Sequence, residues 1–443
     1  MLAIDTLKSK YKSIKNNSEF EKYFKNTSWL FAEKIFQMGV SFFVVILLTR
    51  YLGPENYGLL SYSQSFVGVF IAFSTLGIDV ILVRELTKNK NQTDVLIGTA
   101  IIMKLIASLI AMSIVFIINI NVEDEEAGLL INIIAFILIF QSVKTLDAYF
   151  QANVLSKYSV IANSVAFFCS SAIKLILIYI EADLVYFAYT LVFDGAVIAI
   201  GYIFIFTLQK KSIISLKYNT EVAVYYLKNG WPLMLVATAV FLYTKIDQIM
   251  IRHIVDSVAV GHYAAAIRVI ELFYFIPLLV TQSVFPKLVE MKQKSEEDYF
   301  RFLENIYKLL VGIAIPIALM IFIFSDIIVF LLYGDEYAQA VSILNVLSFT
   351  VVLSAIGTMS TKILYVEHYE KKYLYRSVLG VCVNIALNFW FIDLFGVVGA
   401  AISTVITLVI IYYAYDIFDK DLHKFFYLKI KCFIPIAPNK MRM

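Results

Sequence analysis

Apolar stretches of about 20 residues recur along the chain from Trp29 to Tyr415, separated by short polar connections. At 1.5 Å per helical residue, about 20 apolar residues cross a hydrocarbon core of about 30 Å. The pattern predicts twelve spans, at 28–50, 58–79, 95–119, 128–149, 159–180, 183–207, 229–251, 259–282, 303–325, 340–362, 373–394 and 396–417. Runs such as 128–140 are apolar at every position but one, whereas barrel strands would alternate. The expected fold is therefore an all-α integral membrane protein.

The pattern also halves near the basic connection 208–228. Trp29 opens span 1 and Arg50 closes it, 21 residues later; Trp231 and Arg252 bracket span 7 at the same spacing. An aromatic and a glycine open the next span in both halves, Tyr57-Gly58 and Gly261 with Tyr263. Two six-span blocks in the same orientation would be related by pseudo-two-fold symmetry about the membrane normal. The expected organisation is an interfacial segment at 1–27, one lobe at 28–207, a linker at 208–228, a second lobe at 229–417 and a basic, aromatic tail at 418–443. Two lobes around a central cavity suit alternating access.

Charge fixes the orientation. Of 37 Lys and Arg residues, 28 fall in the two termini and in or at the edges of the even-numbered connections, while the odd connections and their edges hold only Arg50 and Arg252. Positively charged loops stay cytoplasmic, so both termini are expected on that side. Mean hydropathy is +0.80 and the net charge only +3, so these bases read as orientation beside anionic headgroups and not as a nucleic-acid surface. The segment 421–434 is expected to lie along the interface, and 287–308 to form a separate amphipathic helix between spans 8 and 9. Cys169, Cys382 and Cys432 are far apart and read as free thiols. No P-loop and no His/Cys spacing suited to a metal occurs, so neither cofactor nor metal is expected.

Gly53-Pro54 stops span 1, because proline lacks an N–H and disfavours helix in the residue before it. Gly58 is expected to let helix 2 start close to helix 1, and the segment from Arg50 to Gly58 reads as a tight turn. Arg84 and Glu85 sit at the inner mouth of span 2, as a paired gate or as an anchor.

An ionisable group within the hydrocarbon costs about 2.5–3.5 kcal/mol on insertion scales, so it faces a cavity or a partner. Arg268 lies near the middle of span 8, with Glu271 on the same helical face at i+3. Lys245 and Asp247 lie towards the outer end of span 7, Asp194 near the middle of span 6, and Lys34 in the inner part of span 1. One reading makes Lys34, Lys245 and Arg268 the cations of a cavity that receives an anionic substrate. The other makes Arg268 and Glu271 an internal ion pair. Asp194, Asp247 and Glu271 are candidates for ion coupling or charge pairing. Tyr243 and Tyr274 are examples of the aromatics near such a cavity, with rings that can stack on a substrate.

Several motifs together resemble one family: Thr49-Arg50-Tyr51-Leu52-Gly53-Pro54-Glu55-Asn56-Tyr57-Gly58 after span 1, Gly77-Ile78-Asp79 leading to Arg84-Glu85-Leu86, Asp247-Gln248-Ile249-Met250-Ile251, and Gly261 to Arg268. They resemble the Wzx-type O-antigen flippases, in the polysaccharide transporter family of the multidrug/oligosaccharidyl-lipid/polysaccharide (MOP) exporter superfamily. The likeness covers about residues 20 to 420. It implies twelve helices in two six-helix lobes, as in MATE transporters and lipid II flippases, and movement of undecaprenyl-diphosphate-linked oligosaccharide to the outer leaflet of a bacterial plasma membrane. Lipid II flippases also carry basic residues in helices 1 and 8, where Lys34 and Arg268 fall. The bilayer, and candidate polymerase and chain-length machinery, are the further partners it implies. The competing readings are a MATE-like drug or metabolite antiporter, which would favour acidic cavity residues, and a membrane polysaccharide polymerase, for which no large loop is present.

Overall fold

The computed structural model describes residues 18–120, 122, 124–209 and 215–433, with 18–34 by backbone alone. Among these the chain is helical, without a strand. Its elements are α1 (Ser18–Thr75), α2 (Ile78–Lys88), α3 (Thr93–Asn119), α4 (Glu125–Ala135), α5 (Ile137–Val143), α6 (Thr145–Ala152), α7 (Ser156–Tyr179) and α8 (Leu184–Leu208). Then come α9 (Thr220–Ile254), α10 (Ser257–Lys294), α11 (Glu296–Tyr333), α12 (Ala340–Val366), α13 (Glu370–Phe395), α14 (Val397–Val409), a π turn (Ile410–Ala414), α15 (Tyr415–Phe418) and α16 (His423–Lys431).

Eleven helical stretches of the described chain are long and apolar enough to cross a membrane. The first, Ile35–Lys88, has 54 residues and is two crossings. It breaks at Gly53, where φ is 68° and ψ 174°, a backbone conformation open to glycine and followed at once by Pro54. The turn expected between spans 1 and 2 is thus a single residue. Twelve crossings result.

Contacts group the chain into two compact units. One runs to Tyr51 and resumes over Phe66–Met234; the other takes Leu52–Ser65 and everything from Leu235. The first unit is built around Ile78, Leu82, Ile97, Ala100, Leu146, Phe150, Phe206 and Tyr226, all buried. In the second unit α12 is central and packs on α10, α11 and α14.

Two expectations need correction. Gly58 packs against α10 and not helix 1: a Cβ there would lie 1.8 Å from the Ser257 carbonyl oxygen, and one on Gly261 would lie 1.9 Å from that of Pro54. The paired glycines let two backbones touch, which fixes where α10 begins. The segment 287–308 is not a separate helix either. Helix α10 continues to Lys294, and α11 begins at once under a cap, Ser295 accepting from the Asp298 N–H at 3.3 Å. Glu296, Glu297 and Asp298 fill the first turn, where negative charge suits the helix dipole.

Candidate functional site

Two constellations in the second unit hold four of the six cavity and ion-coupling candidates, Lys245, Asp247, Arg268 and Glu271. Lys245 and Asp247 are two residues apart on α9, and so point to nearly opposite faces of the helix.

On one face, the Lys245 ammonium donates to Glu271 Oε1 at 2.8 Å. Arg268 Nη1 donates to the other carboxylate oxygen, Oε2, at 3.1 Å. Glu271 therefore neutralises one of two cations, and the triad carries a net single positive charge. It is not sealed: the three side chains keep 29%, 31% and 37% of their surface for Lys245, Glu271 and Arg268. The internal Arg268–Glu271 pair and two cations of the cluster, Lys245 and Arg268, opposed in the sequence reading, meet on one carboxylate. The Lys245–Glu271 bridge is the link that the sequence reading did not draw.

On the other face, the Asp247 carboxylate is 1% exposed. It accepts from the Tyr263 hydroxyl at 2.5 Å and the Thr404 hydroxyl at 2.6 Å through one oxygen, and from the Asn388 amide at 2.6 Å through the other. Asn388 also donates to Asn384 Oδ1 at 3.1 Å. These three donors are neutral, so a buried negative charge is solvated by dipoles, an arrangement that a proton or a small cation relieves. Next to it, Gln248 accepts from Ser65 at 2.7 Å. Tyr263, Asn384, Asn388 and Thr404 were not singled out for this role by the sequence. The one available signal was Asn384-x₃-Asn388, two amides on one face of an apolar helix.

In the first unit, Arg84 Nε donates to Glu85 at 3.2 Å, and the Tyr225 hydroxyl accepts from Arg84 at 2.8 Å while donating to Glu85 at 2.9 Å. Tyr225 joins the end of crossing 2 to the start of α9, so the pair is a three-membered clasp. Asp194 lies on α8, in the first unit, within the electrostatic reach of Lys174 and Lys144. Lys34 belongs to α1, but its side chain lies outside the described residues. Arg50 closes helix 1 just before the Gly53 break. Of the aromatics, Tyr274 donates to Thr350 at 2.9 Å and Tyr243 is hydrogen-bonded with Tyr412. No group of three or more His, Cys, Asp or Glu residues is placed to hold a metal ion among the described residues.

With this geometry in view, the likenesses to known proteins have a definite meaning. Residues 23–292, more than half of the chain, match the family described as polysaccharide biosynthesis protein, and residues 232–390 match the MatE family. The capsular polysaccharide biosynthesis protein CapF of Staphylococcus aureus is 23% identical, over 88% of this chain and 98% of that one. A putative O-antigen transporter of Shigella flexneri is 21% identical, over 82% and 89%. Among solved structures, lipid II flippase MurJ in an inward closed conformation superposes with a TM-score of 0.70 at 17% identity, covering 90% of each chain.

Proposed function

We propose, for a chain that belongs to the polysaccharide biosynthesis protein family, the Wzx-type flippase branch of the MOP superfamily, that it carries a lipid-diphosphate-linked oligosaccharide from the cytoplasmic to the outer leaflet. The chain is a multi-pass membrane transporter, not an enzyme. The cell membrane in question is the bacterial plasma membrane, with both termini inside, and the carrier lipid is undecaprenyl diphosphate. The relatives named for capsule and O-antigen support the polysaccharide part of the reading.

The observation that carries the proposal is the partly exposed Lys245–Glu271–Arg268 triad with its surplus positive charge. A diphosphate brings about two negative charges and several acceptor oxygens, and charge-assisted hydrogen bonds from an ammonium and a guanidinium fit it. Glu271 holds both cations in place and keeps the empty carrier's charge low. It is thereby unsuited to carry a coupling proton. Asp247 takes that role: its carboxylate is isolated from cations, and gaining or losing a proton or a monovalent cation changes the charge of a sealed site. Asp194 is left as a charge partner of Lys174 and Lys144. Arg84, Glu85 and Tyr225 form the inner gate, and Lys34 is a further cation for the diphosphate.

A structural pair and a binding site respond differently to loss of Arg268. If the triad only holds helices together, Arg268→Ala leaves the Lys245–Glu271 bridge intact, and transport continues. If it binds phosphate, Arg268→Ala stops export of surface polysaccharide while the protein still inserts, and Arg268→Lys keeps part of the activity. Normal export by inserted Arg268→Ala protein contradicts the proposal. Orientation is tested separately. Cysteines replacing Asp335 and Asp393 should label with an impermeant thiol reagent on intact cells, and cysteines replacing Lys90 and Lys371 should not; the reverse pattern would invert the direction of transport.

A further inference from the structure

The basic, aromatic tail does not simply lie among headgroups. In α16, Phe425, Leu428 and Lys429 are buried, and Lys429 is 0% exposed. Its ammonium has three donors and three acceptors: Asp416 Oδ2 at 2.5 Å, the Tyr412 carbonyl at 2.7 Å and Ser360 Oγ at 2.9 Å. A lysine that fully enclosed is held for a reason, since a long charged side chain ordinarily snorkels to water.

Two of its acceptors belong to an irregular part of crossing 12. Between α14 and α15 the chain makes a π turn, Ile410–Ala414, which contains Tyr412. A π turn inserts one residue into the helix and interrupts the regular i−4 ladder, and such turns are rare. Lys429 grips that turn from outside, through the Tyr412 carbonyl, and grips Asp416 one turn beyond. The Tyr412 ring is pressed flat on Gly357 of α12, where a Cβ would come within 2.1 Å of the ring. Arg376 closes the other side, 2% exposed, donating to Ser360 at 2.8 Å and Thr361 at 3.0 Å, with its guanidinium 5.2 Å from the centre of the Tyr412 ring.

The seat is built to open. Burial pushes the Lys429 ammonium down to about 8, although Asp416 pulls the other way, so desolvation offsets much of the ion pair. Asp416 Oδ1 and the hydroxyls of Tyr307 and Tyr413 are buried without a hydrogen-bond partner among the described residues. The buried Phe425 stacks on Phe300 at 5.7 Å, and the fastenings nearer the surface are Lys424, which reaches Glu296 at 3.4 Å, and Lys372, which binds Asp419 and Asp421 at 2.6 Å each.

We propose that α16 is a latch that sets the register of crossing 12. Seated, it holds the π turn open through Lys429. Unseated, residues 410–414 return to α-helical pitch, which turns the last part of the crossing by about 100° and carries Tyr412 off Gly357. The inference does not depend on what the protein transports.

The native thiol of Cys432, 7% exposed and at the end of α16, reports the seat directly. In full-length protein in detergent with Cys169→Ser and Cys382→Ser, adding Lys429→Met should speed maleimide labelling of Cys432 at least tenfold. Amide exchange should speed at 410–414, with the middle of α12 unchanged. The double variant Lys429→Met with Asp416→Asn guards against misfolding, because it leaves no stranded carboxylate. It should fold as the parent does yet still exchange faster at 410–414, where the Tyr412 carbonyl has lost its donor. Labelling unchanged in the single variant, or exchange at 410–414 unchanged in the double one, overturns the latch.

Discussion

Lys245 and Asp247 are separated by one residue, and their surroundings could hardly differ more. Lys245 enters a cluster of full charges that stays partly open, two cations on one carboxylate. Asp247 enters a closed cage of neutral donors, one hydroxyl from α10, one from α14 and an amide from α13. Exposed charge can be lent to a ligand, because water already screens it and leaves easily. Sealed charge cannot; it can only be neutralised by something small enough to enter. One helix thus presents a partly open cationic cluster on one face and a sealed carboxylate on the other, the two faces to which the proposed function assigns a large anion and a small cation.

The comparison breaks most severely at Asp247. Asp247→Asn keeps the shape and removes the charge, so transport should fall by about two orders of magnitude while the protein remains folded. The melting temperature should hold or rise, since a buried charge without a counter-ion is lost. Transport by Asp247→Asn at the parent's rate would reduce the cage to a packing device.

Next in size is Gly261→Ala. Its new methyl meets the Pro54 carbonyl, and overpacking of this kind costs about 1–3 kcal/mol. Because α10 carries both Tyr263 and Arg268, its displacement should impair both constellations together; an unchanged melting temperature would show that the contact with Pro54 is loose. Thr404→Val is milder. It removes one of three donors to Asp247, worth about 1.5–3 kcal/mol for a bond to a charged group. It should weaken coupling to the ion gradient without affecting binding at the triad. Equal loss at both would mean that the two faces of α9 are not independent.

How much of this was readable in the sequence follows from distance along the chain. The crossings were legible because hydropathy is a local property, and the Gly53 break because Gly-Pro acts on its own backbone. The Ser295 cap was legible in principle, since Ser-Glu-Glu-Asp after a lysine-rich turn is a helix start; a continuous amphipathic pattern over 287–308 concealed it. Arg268 with Glu271 was visible as an i,i+3 pair. The Asp247 cage was not, because Asn388 and Thr404 reach it from 141 and 157 residues away. Lys429 read as one more headgroup-facing base for the same reason: nothing in its neighbours announces that Ser360, 69 residues earlier, encloses it.

The central claim, that the triad's surplus charge receives a lipid diphosphate, is tested most directly by titrating purified protein with farnesyl diphosphate, using farnesol as the uncharged control. Each charge-assisted hydrogen bond is worth about 1.5–3 kcal/mol, or about 10- to 150-fold in Kd. Arg268→Ala should therefore weaken farnesyl diphosphate binding by at least tenfold, and farnesol binding should be the same in both proteins. Binding of the diphosphate that is equally tight in the parent and in Arg268→Ala would contradict the account.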